Sequence, residues 1–262
     1  MTRVALVTGA ARGIGAATVA TLAAKEWRVV ALDRCADDPR LPYPLATEAE
    51  LHAVVSRTGA PDRVLPIVGD ASDPVAMADA VALAESCFGG LDVMIAAAGV
   101  IAGGAPVWEL PPKQEEALLD VNLRGVLVAA RSGIPALLRR PQPRAGRFVA
   151  VASVAATRGL PLLGAYCATK AAVAGLIRAL AVELRDTGVT ANAVSPGSTD
   201  TAILAESARL YGLRSAQAFA AQQPIGRLIT PEEVADAIAW LADERTQAVT
   251  GSVIPVDGGL GL

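Results

Sequence analysis

The chain has 262 residues, 53% hydrophobic but only 3% aromatic, with 23 basic and 26 acidic side chains and a formal net charge of −3. That length suits one large α/β domain or two small ones and buries a core without disulfide or metal staples; so few aromatics leave Ala, Val, Leu and Ile to build it. The interspersed charges, with no basic patch and no nucleic-acid-reading motif, argue against a nucleic acid partner.

Cys35, Cys87 and Cys167 are odd in number and lack CxxC spacing, so they read as reduced thiols of a cytosolic protein and not as a disulfide framework or metal site. Residues 1–7 run straight into a Gly-rich turn without the apolar core of a signal peptide. No apolar stretch runs long enough without charges to span a bilayer, so the expectation is a cytoplasmic protein with no membrane partner.

Along the chain, strands are expected at 4–8, 28–32, 64–69, 93–97, 146–151, 190–194 and 253–256, with Ala-rich helices between most of them, as at 14–25, 75–88 and 166–187. Gly188 stops the last of these. This alternation predicts α/β architecture as one domain over 1–262, a doubly wound, seven-stranded parallel sheet with helices on both faces. Two segments break the rhythm. Residues 35–47 are Pro-rich and cannot form the plain helix expected after the second strand. Residues 198–224, before a helix opened by Thr230-Pro231-Glu232-Glu233, have the length of a functional cover or lid.

The first strand ends in Thr8-Gly9-Ala10-Ala11-Arg12-Gly13-Ile14-Gly15. Glycines so spaced permit a tight turn, backbone approach to a pyrophosphate and close helix–strand packing, and the following helix N-terminus favours phosphate charge. The same turn could serve packing alone. Asp33 ends the second strand about 20 residues on, where an acid bonds both ribose hydroxyls and repels a 2′-phosphate, which favours NAD over NADP. Arg12 and Arg34 argue the other way, since either could receive such a phosphate. Asp70, ending the third strand, could accept from the adenine amino group or cap the turn before Asp73-Pro74.

Tyr166 and Lys170 lie four residues apart on one helix and share a face, and Ser153 ends a strand at the carboxyl edge where ligands bind in open α/β sheets. TGAARGIG, then AAAG (96–99), Asn122, Ser153, YCATK (166–170), Pro196-Gly197 and VDGG (256–259) occur in the order of the short-chain dehydrogenase/reductase family, which the chain resembles over essentially its whole length. The resemblance implies a Rossmann-type fold and hydride exchange between an alcohol or ketone and NAD. On that resemblance Tyr166 would be the acid/base, Lys170 would favour the phenolate and bond the nicotinamide ribose, Ser153 would polarise the substrate oxygen, and Asn122 would hold a relaying water. It also implies cofactor contacts from Gly9, Arg12, Gly13, Ile14 and Gly15, and from Asp33, Arg34 and Cys35. Further contacts follow from Asp70 and Ala71, from Ala97, Ala98 and Gly99, and from Tyr166 and Lys170. Pro196 and Gly197 complete them with Thr201, or its neighbour Thr199, which would reach the carboxamide. The family usually has NNAG or NAAG at 96–99, and alanine cannot brace the sheet there as asparagine does.

The insert 34–51 resembles one in mycofactocin-dependent members of the family, where it covers an NAD that stays bound and is reoxidised by mycofactocin. Substrate walls are expected from Val154, Leu160, Leu162 and Leu163 and from Ile203, Leu204, Leu210, Tyr211, Leu213 and Phe219, which suit a hydrophobic secondary alcohol or its ketone. The same residues could equally pack within the lid. Small residues on the Asn122 and Tyr166 helices (Gly125, Ala129, Ala130; Ala171, Ala172, Ala174, Gly175) resemble the four-helix interface of family dimers and tetramers. The alternatives are an ordinary family member with exchangeable NAD(P)(H), such as a 3-oxoacyl reductase, or a noncatalytic dinucleotide sensor. His52 is expected on a helix surface.

Overall fold

Runs of β-branched and small apolar residues form the strands of the computed structural model, which describes residues 2–262. In chain order the elements are β1 (Val4–Thr8), α1 (Gly13–Ala24), β2 (Arg28–Asp33), α2 (Glu48–Arg57), β3 (Val64–Val68), α3 (Pro74–Phe88) and β4 (Val93–Ala96). There follow α4 (Pro112–Leu118), α5 (Gly125–Arg139), β5 (Arg147–Val151), α6 (Gly164–Glu183), β6 (Thr190–Pro196), α7 (Ala202–Leu210), α8 (Pro231–Ala242) and β7 (Val253–Val256). All seven strands are parallel, in the order β3-β2-β1-β4-β5-β6-β7. The chain therefore reverses direction across the sheet between β1 and β4, where a ligand crevice opens in such folds.

Alternate strand residues feed two cores. Val4, Leu6, Val30 and Leu32 face Met77, Val126, Val173 and Ile177 on one side. Ala5, Val7, Val29 and Ala31 face Val19, Leu22, Val234 and Ile238 on the other. Both faces are covered, so the strands read as continuous apolar runs. Helix starts follow their side-chain caps: Thr47 with Glu50 opens α2, and Thr230 with Glu233 opens α8 behind Pro231.

The structure refines the sequence expectations at three places. The Pro-rich run 35–47 forms no helix, and the Thr47 cap starts α2 directly after it, inside the insert 34–51. The helix expected over 166–187 is α6, which begins at Gly164 and stops at Glu183, the chain turning left-handed at Asp186 (φ 60°) before Gly188. Two helices also meet the length and apolarity of a bilayer span, 112–139 at mean hydropathy 1.2 and 164–183 at 1.4. Both pack on the sheet, and the core helices of an α/β domain satisfy the same criterion. Gly125, Ala129, Ala130 and Ala174 are buried inside this chain, so their small size serves intrachain packing.

The turn after β1 shows how little room the fold leaves. A Cβ on Gly15 would stand 1.9 Å from the Gly9 carbonyl oxygen, and one on Gly9 would stand 2.7 Å from Ala98 Cα. Gly15→Ala is expected to cost about 3 kcal/mol or more, because backbone and not a movable side chain is in the way. An unchanged denaturant midpoint would contradict this packing.

Candidate active site

The carboxyl ends of the strands open into a cleft of about 650 Å³. At its nucleotide end, Gly9 (φ 69°) and Gly13 (φ 58°) adopt left-handed backbone that side chains resist. The N-cap of α1, Arg12, makes no side-chain cap, and no acid sits in the first helical turn. The free N–H groups and the helix dipole thus face the cleft without a competing anion. The missing asparagine brace has a substitute: buried Thr8 accepts from both Ala97 N (3.1 Å) and Ala98 N (3.2 Å), tying the end of β4 to the end of β1.

Asp33 lines the cleft, with one carboxylate oxygen accepting from Ala11 N at 3.0 Å and the other from Cys35 N at 3.2 Å. Each oxygen keeps a lone pair for a ribose hydroxyl. The rival arginines are committed elsewhere. Arg34 donates to Asp38 at 3.0 Å and lies 3.7 Å from Asp70, and Arg12 donates to the Pro44 carbonyl at 3.1 Å. Asp70 closes an Asx turn by accepting from Ser72 N and Ser72 Oγ, both at 2.8 Å, while Asp73 is the cap of α3. The residue still lines the cleft, so it serves the turn and faces the ligand space together.

The insert is pinned across this end. Asp38, 2% exposed, accepts from Arg34 and from Arg40 (2.8 and 2.9 Å), and the Arg40 hydrogen bonds hold its carboxyl well below the usual carboxylate range. Arg40 also reaches Asp120 at 2.6 Å. Tyr43 accepts from Ile101 N at 2.9 Å, and Tyr43, Leu45 and Ala46 line the cleft. None of these cleft residues was read from the sequence, although the Asp37-Asp38-Pro39-Arg40 charges inside a Pro-rich run were a signal.

At the centre, Ser153 follows β5, and Tyr166 and Lys170 project from α6; all three are at least nine-tenths buried. Ser153 Oγ accepts from Ala155 N at 3.1 Å and also pulls the Tyr166 phenol toward ionisation, so the helix-cap role and the site role coincide. Lys170 Nζ donates to the Val151 carbonyl at 2.8 Å and lies 5.9 Å from the Tyr166 ring centre. Burial dominates the proton balance: it pushes Tyr166 up to about 12 against the pull of Ser153, and pushes Lys170 down to about 8.

Two candidate residues do not face the cleft. Asn122 is fully buried in a π-helical turn, Leu119–Arg124, between α4 and α5, where its side chain pairs with both main-chain groups of Val100 at 2.8 and 2.9 Å. That side chain is a brace, and any water at this turn is left to main-chain carbonyls. Cys35, with φ 53°, turns its thiol into the second core. The other candidates all line the cleft, including Gly9, Ile14, Ala71, Gly99, Pro196, Gly197 and both Thr199 and Thr201. Thr199 Oγ1 bonds the Gly197 carbonyl, and Thr201 caps α7 through Leu204 N, so both hydroxyls hold the chain in place.

The segment 198–224 is clasped at its ends by buried Gln223, which bonds Ser198 N (2.9 Å), Ser198 O (3.3 Å) and Arg227 O (2.6 Å). Of the expected walls, Val154, Leu160, Leu163, Ile203, Leu204, Tyr211, Leu213 and Phe219 reach the cleft. Leu162 is turned outward on left-handed backbone, and Leu210 packs beside Gly104. Arg158 and Leu260 also line the cleft and were missed, because nothing in the linear sequence brings the C-terminal turn to β5. His52 is exposed on α2 near Glu48.

The family model described as enoyl-(acyl carrier protein) reductase matches residues 9–261 of the chain. The cis-4-hydroxycyclohexanecarboxylate dehydrogenase of Sinomonas cyclohexanicum is 38% identical over 259 residues, covering 98% of this chain and 96% of that protein. An uncharacterized NAD-dependent oxidoreductase of Mycobacterium tuberculosis is 35% identical over 265 residues, covering 98% and 95%. Among solved structures, carveol dehydrogenase from Mycobacterium avium in complex with NAD is similar with a TM-score of 0.92 at 29% identity, covering 98% of this chain and 97% of that one.

Burial of Lys170 makes a pH signature. With its folded value near 8 and its ordinary value 10.5, the unfolded chain binds the proton more tightly between those pH values, so this group adds stability as pH rises from 8 to 10.5. In thermal unfolding, the wild type is expected to gain on Lys170→Met across that window; parallel pH profiles for the two proteins would contradict the shift.

Proposed function

The chain belongs to the short-chain dehydrogenase/reductase family and is an NAD-dependent oxidoreductase, and from that premise we propose that it interconverts a hydrophobic secondary alcohol and its ketone with Tyr166 as acid/base. The observation that carries the reading is the buried Ser153–Tyr166–Lys170 group at the centre of a cleft that joins a dinucleotide cradle to largely apolar walls.

The residues fit the cofactor. The turn Gly9–Gly15 admits a pyrophosphate where a Cβ would collide, and Asp33 takes the adenosine ribose hydroxyls. Lys170 takes the nicotinamide ribose, and Thr199 or Thr201 the carboxamide. When bound, NAD accepts the hydride from the carbinol carbon and, in its oxidised form, brings positive charge to the site. Ser153 holds the substrate oxygen against Tyr166. In alcohol oxidation the Tyr166 phenolate removes the hydroxyl proton while the C–H electron pair leaves with the hydride, forming the ketone; reduction returns both. Asn122 fixes the π turn whose main chain holds the relaying water.

The insert 34–51 closes over the adenosine end, keeps NAD bound through turnover, and leaves reoxidation to mycofactocin as an external redox partner. Its pinning to the Gly-rich turn, to Ile101 and to Asp120 supports this reading. The protein works in the cytoplasm as a homodimer or homotetramer joined through α5 and α6. In support, Ala171 and Gly175 stay exposed on α6 with Val182 (66%), and Leu127 stays exposed on α5.

Tyr166→Phe is expected to lower turnover by about 10³-fold, within the usual worth of an acid/base group, while the purified protein retains its NAD. Undiminished turnover in this variant would remove the assigned chemistry. The covering role is read from cofactor content after extensive dialysis, by denaturation and mass spectrometry: near-stoichiometric NAD that exchanges slowly with labelled NAD is expected, and faster exchange in Arg40→Met. Free exchange in the wild type would reduce the insert to a surface loop on an ordinary NAD-linked enzyme.

A further inference from the structure

The charges along the cleft are unevenly spent. At the nucleotide end, Asp33, Asp70, Arg12 and Arg34 all have protein partners. At the centre, Lys170 is tied to Val151. Arg158 lies elsewhere, beyond the short helical turn that follows β5 and Ser153. β5 is three strand positions from β2, about 14 Å across the sheet at the usual spacing, so Arg158 stands on the substrate side and not on the adenosine side. Among the described residues it has no carboxylate within ion-pair distance, and no acidic side chain lines that half of the cleft.

Its position is nevertheless fixed. One guanidinium nitrogen, Nη1, donates to the carbonyl of Leu260, 102 residues away in sequence. Leu260 is buried and lines the same cleft, in a C-terminal turn that Asp257 braces by accepting from Gly259 N (2.9 Å) and Gly261 N (3.0 Å). A merely solvated arginine needs no such tether. With Nη1 engaged, Nε and Nη2 remain as a planar pair of donors, the geometry that receives a carboxylate through two parallel hydrogen bonds. Leu160, Leu163, Ile203 and Phe219 line the same cleft as Arg158 and Tyr166.

We propose that Arg158 is a specificity-determining residue that anchors a carboxylate on the substrate, so that the preferred substrate is an apolar secondary alcohol carrying a carboxylate remote from its carbinol. This rests on the alcohol–ketone reading of the site and names its substrate class. The walls receive the apolar body, Ser153 and Tyr166 receive the carbinol, and the fork at the rim receives the acid. Because Arg158 is exposed, the anchor acts with water nearby and contributes at the lower end of charge-assisted hydrogen bonds, about tenfold in affinity.

The test is calorimetric binding of cyclohexanecarboxylate and its uncharged amide, cyclohexanecarboxamide, to the NAD-loaded protein. The wild type is expected to bind the acid about tenfold more tightly than the amide. Arg158→Met is expected to lose that preference with its NAD content unchanged. Arg158→Lys, which keeps the charge without the fork, is expected to fall between them and also decides the matter if the methionine variant does not fold. Equal binding of the two ligands by the wild type, or an undiminished preference in either variant, overturns the proposal. Binding needs no turnover, and Tyr166→Phe is expected to show the same preference, so a failure of the alcohol–ketone chemistry is read separately.

Discussion

Where β1 and β4 end side by side, two turns of chain occupy a space that admits no side chain between them. Gly9 lies against the main chain at Ala97 and Ala98, Gly15 lies against the Gly9 carbonyl, and Thr8 bonds the amides of Ala97 and Ala98. This contact sets the start of α1 at Gly13, hard against the strand ends, with its unpaired amides turned to the cleft. It also falls where the strand order reverses, so helices leave in opposite directions and the space above the strands stays open. A bulkier turn would push α1 away and cost the phosphate cradle and the second core together, because Val19 and Leu22 of that helix pack on Val7 and Val29.

The centre of the cleft depends on a different constraint. Burial disfavours charge on both titrating groups, raising Tyr166 and lowering Lys170. The proton therefore stays on the phenol, and the lysine holds its own less firmly than in water. Ser153 pulls Tyr166 the other way, and the positive charge that NAD would bring in its oxidised form would add to that pull. With Tyr166 as the proposed acid/base, such an arrangement would tie the availability of the base to the presence of the oxidant, so that a proton would be removed where a hydride can also leave.

Much of this was legible in the sequence for local reasons. Short continuous apolar runs alternating with Ala-rich helical stretches placed seven strands within a residue or two, and the order of the motifs placed Tyr166, Lys170, Ser153 and the Gly-rich turn in one cleft. What escaped reading depends on contacts between distant segments. Asn122 lies on a helix as expected, but its turn is π-helical and its amide is spent on Val100, which no spacing rule reveals. Cys35 adjoins Asp33 in sequence, yet left-handed backbone turns its thiol away from the cleft. Arg158 is brought to the substrate side by the C-terminal turn about 100 residues later, and the insert's role hangs on partners at 12, 101 and 120.

The insert also shows why its pieces act together. Asp38 is almost wholly buried, and a buried carboxylate without partners is far costlier than the same group in water. It therefore requires both Arg34 and Arg40, and each of those extends the constraint, Arg34 toward Asp70 and Arg40 to Asp120 in the π turn. Moving the insert aside exposes Asp38 or strands it, so partial opening is penalised more than its few contacts suggest. The same network withdraws Arg34 from the nucleotide end and leaves Asp33 as the carboxylate there without an ion-pair partner among the described residues. Cofactor choice and the fastening of the insert thus meet in one arrangement: the Arg34 charge that would welcome a 2′-phosphate is paired in holding the strap down, and the Arg12 guanidinium is held by the Pro44 carbonyl of the insert.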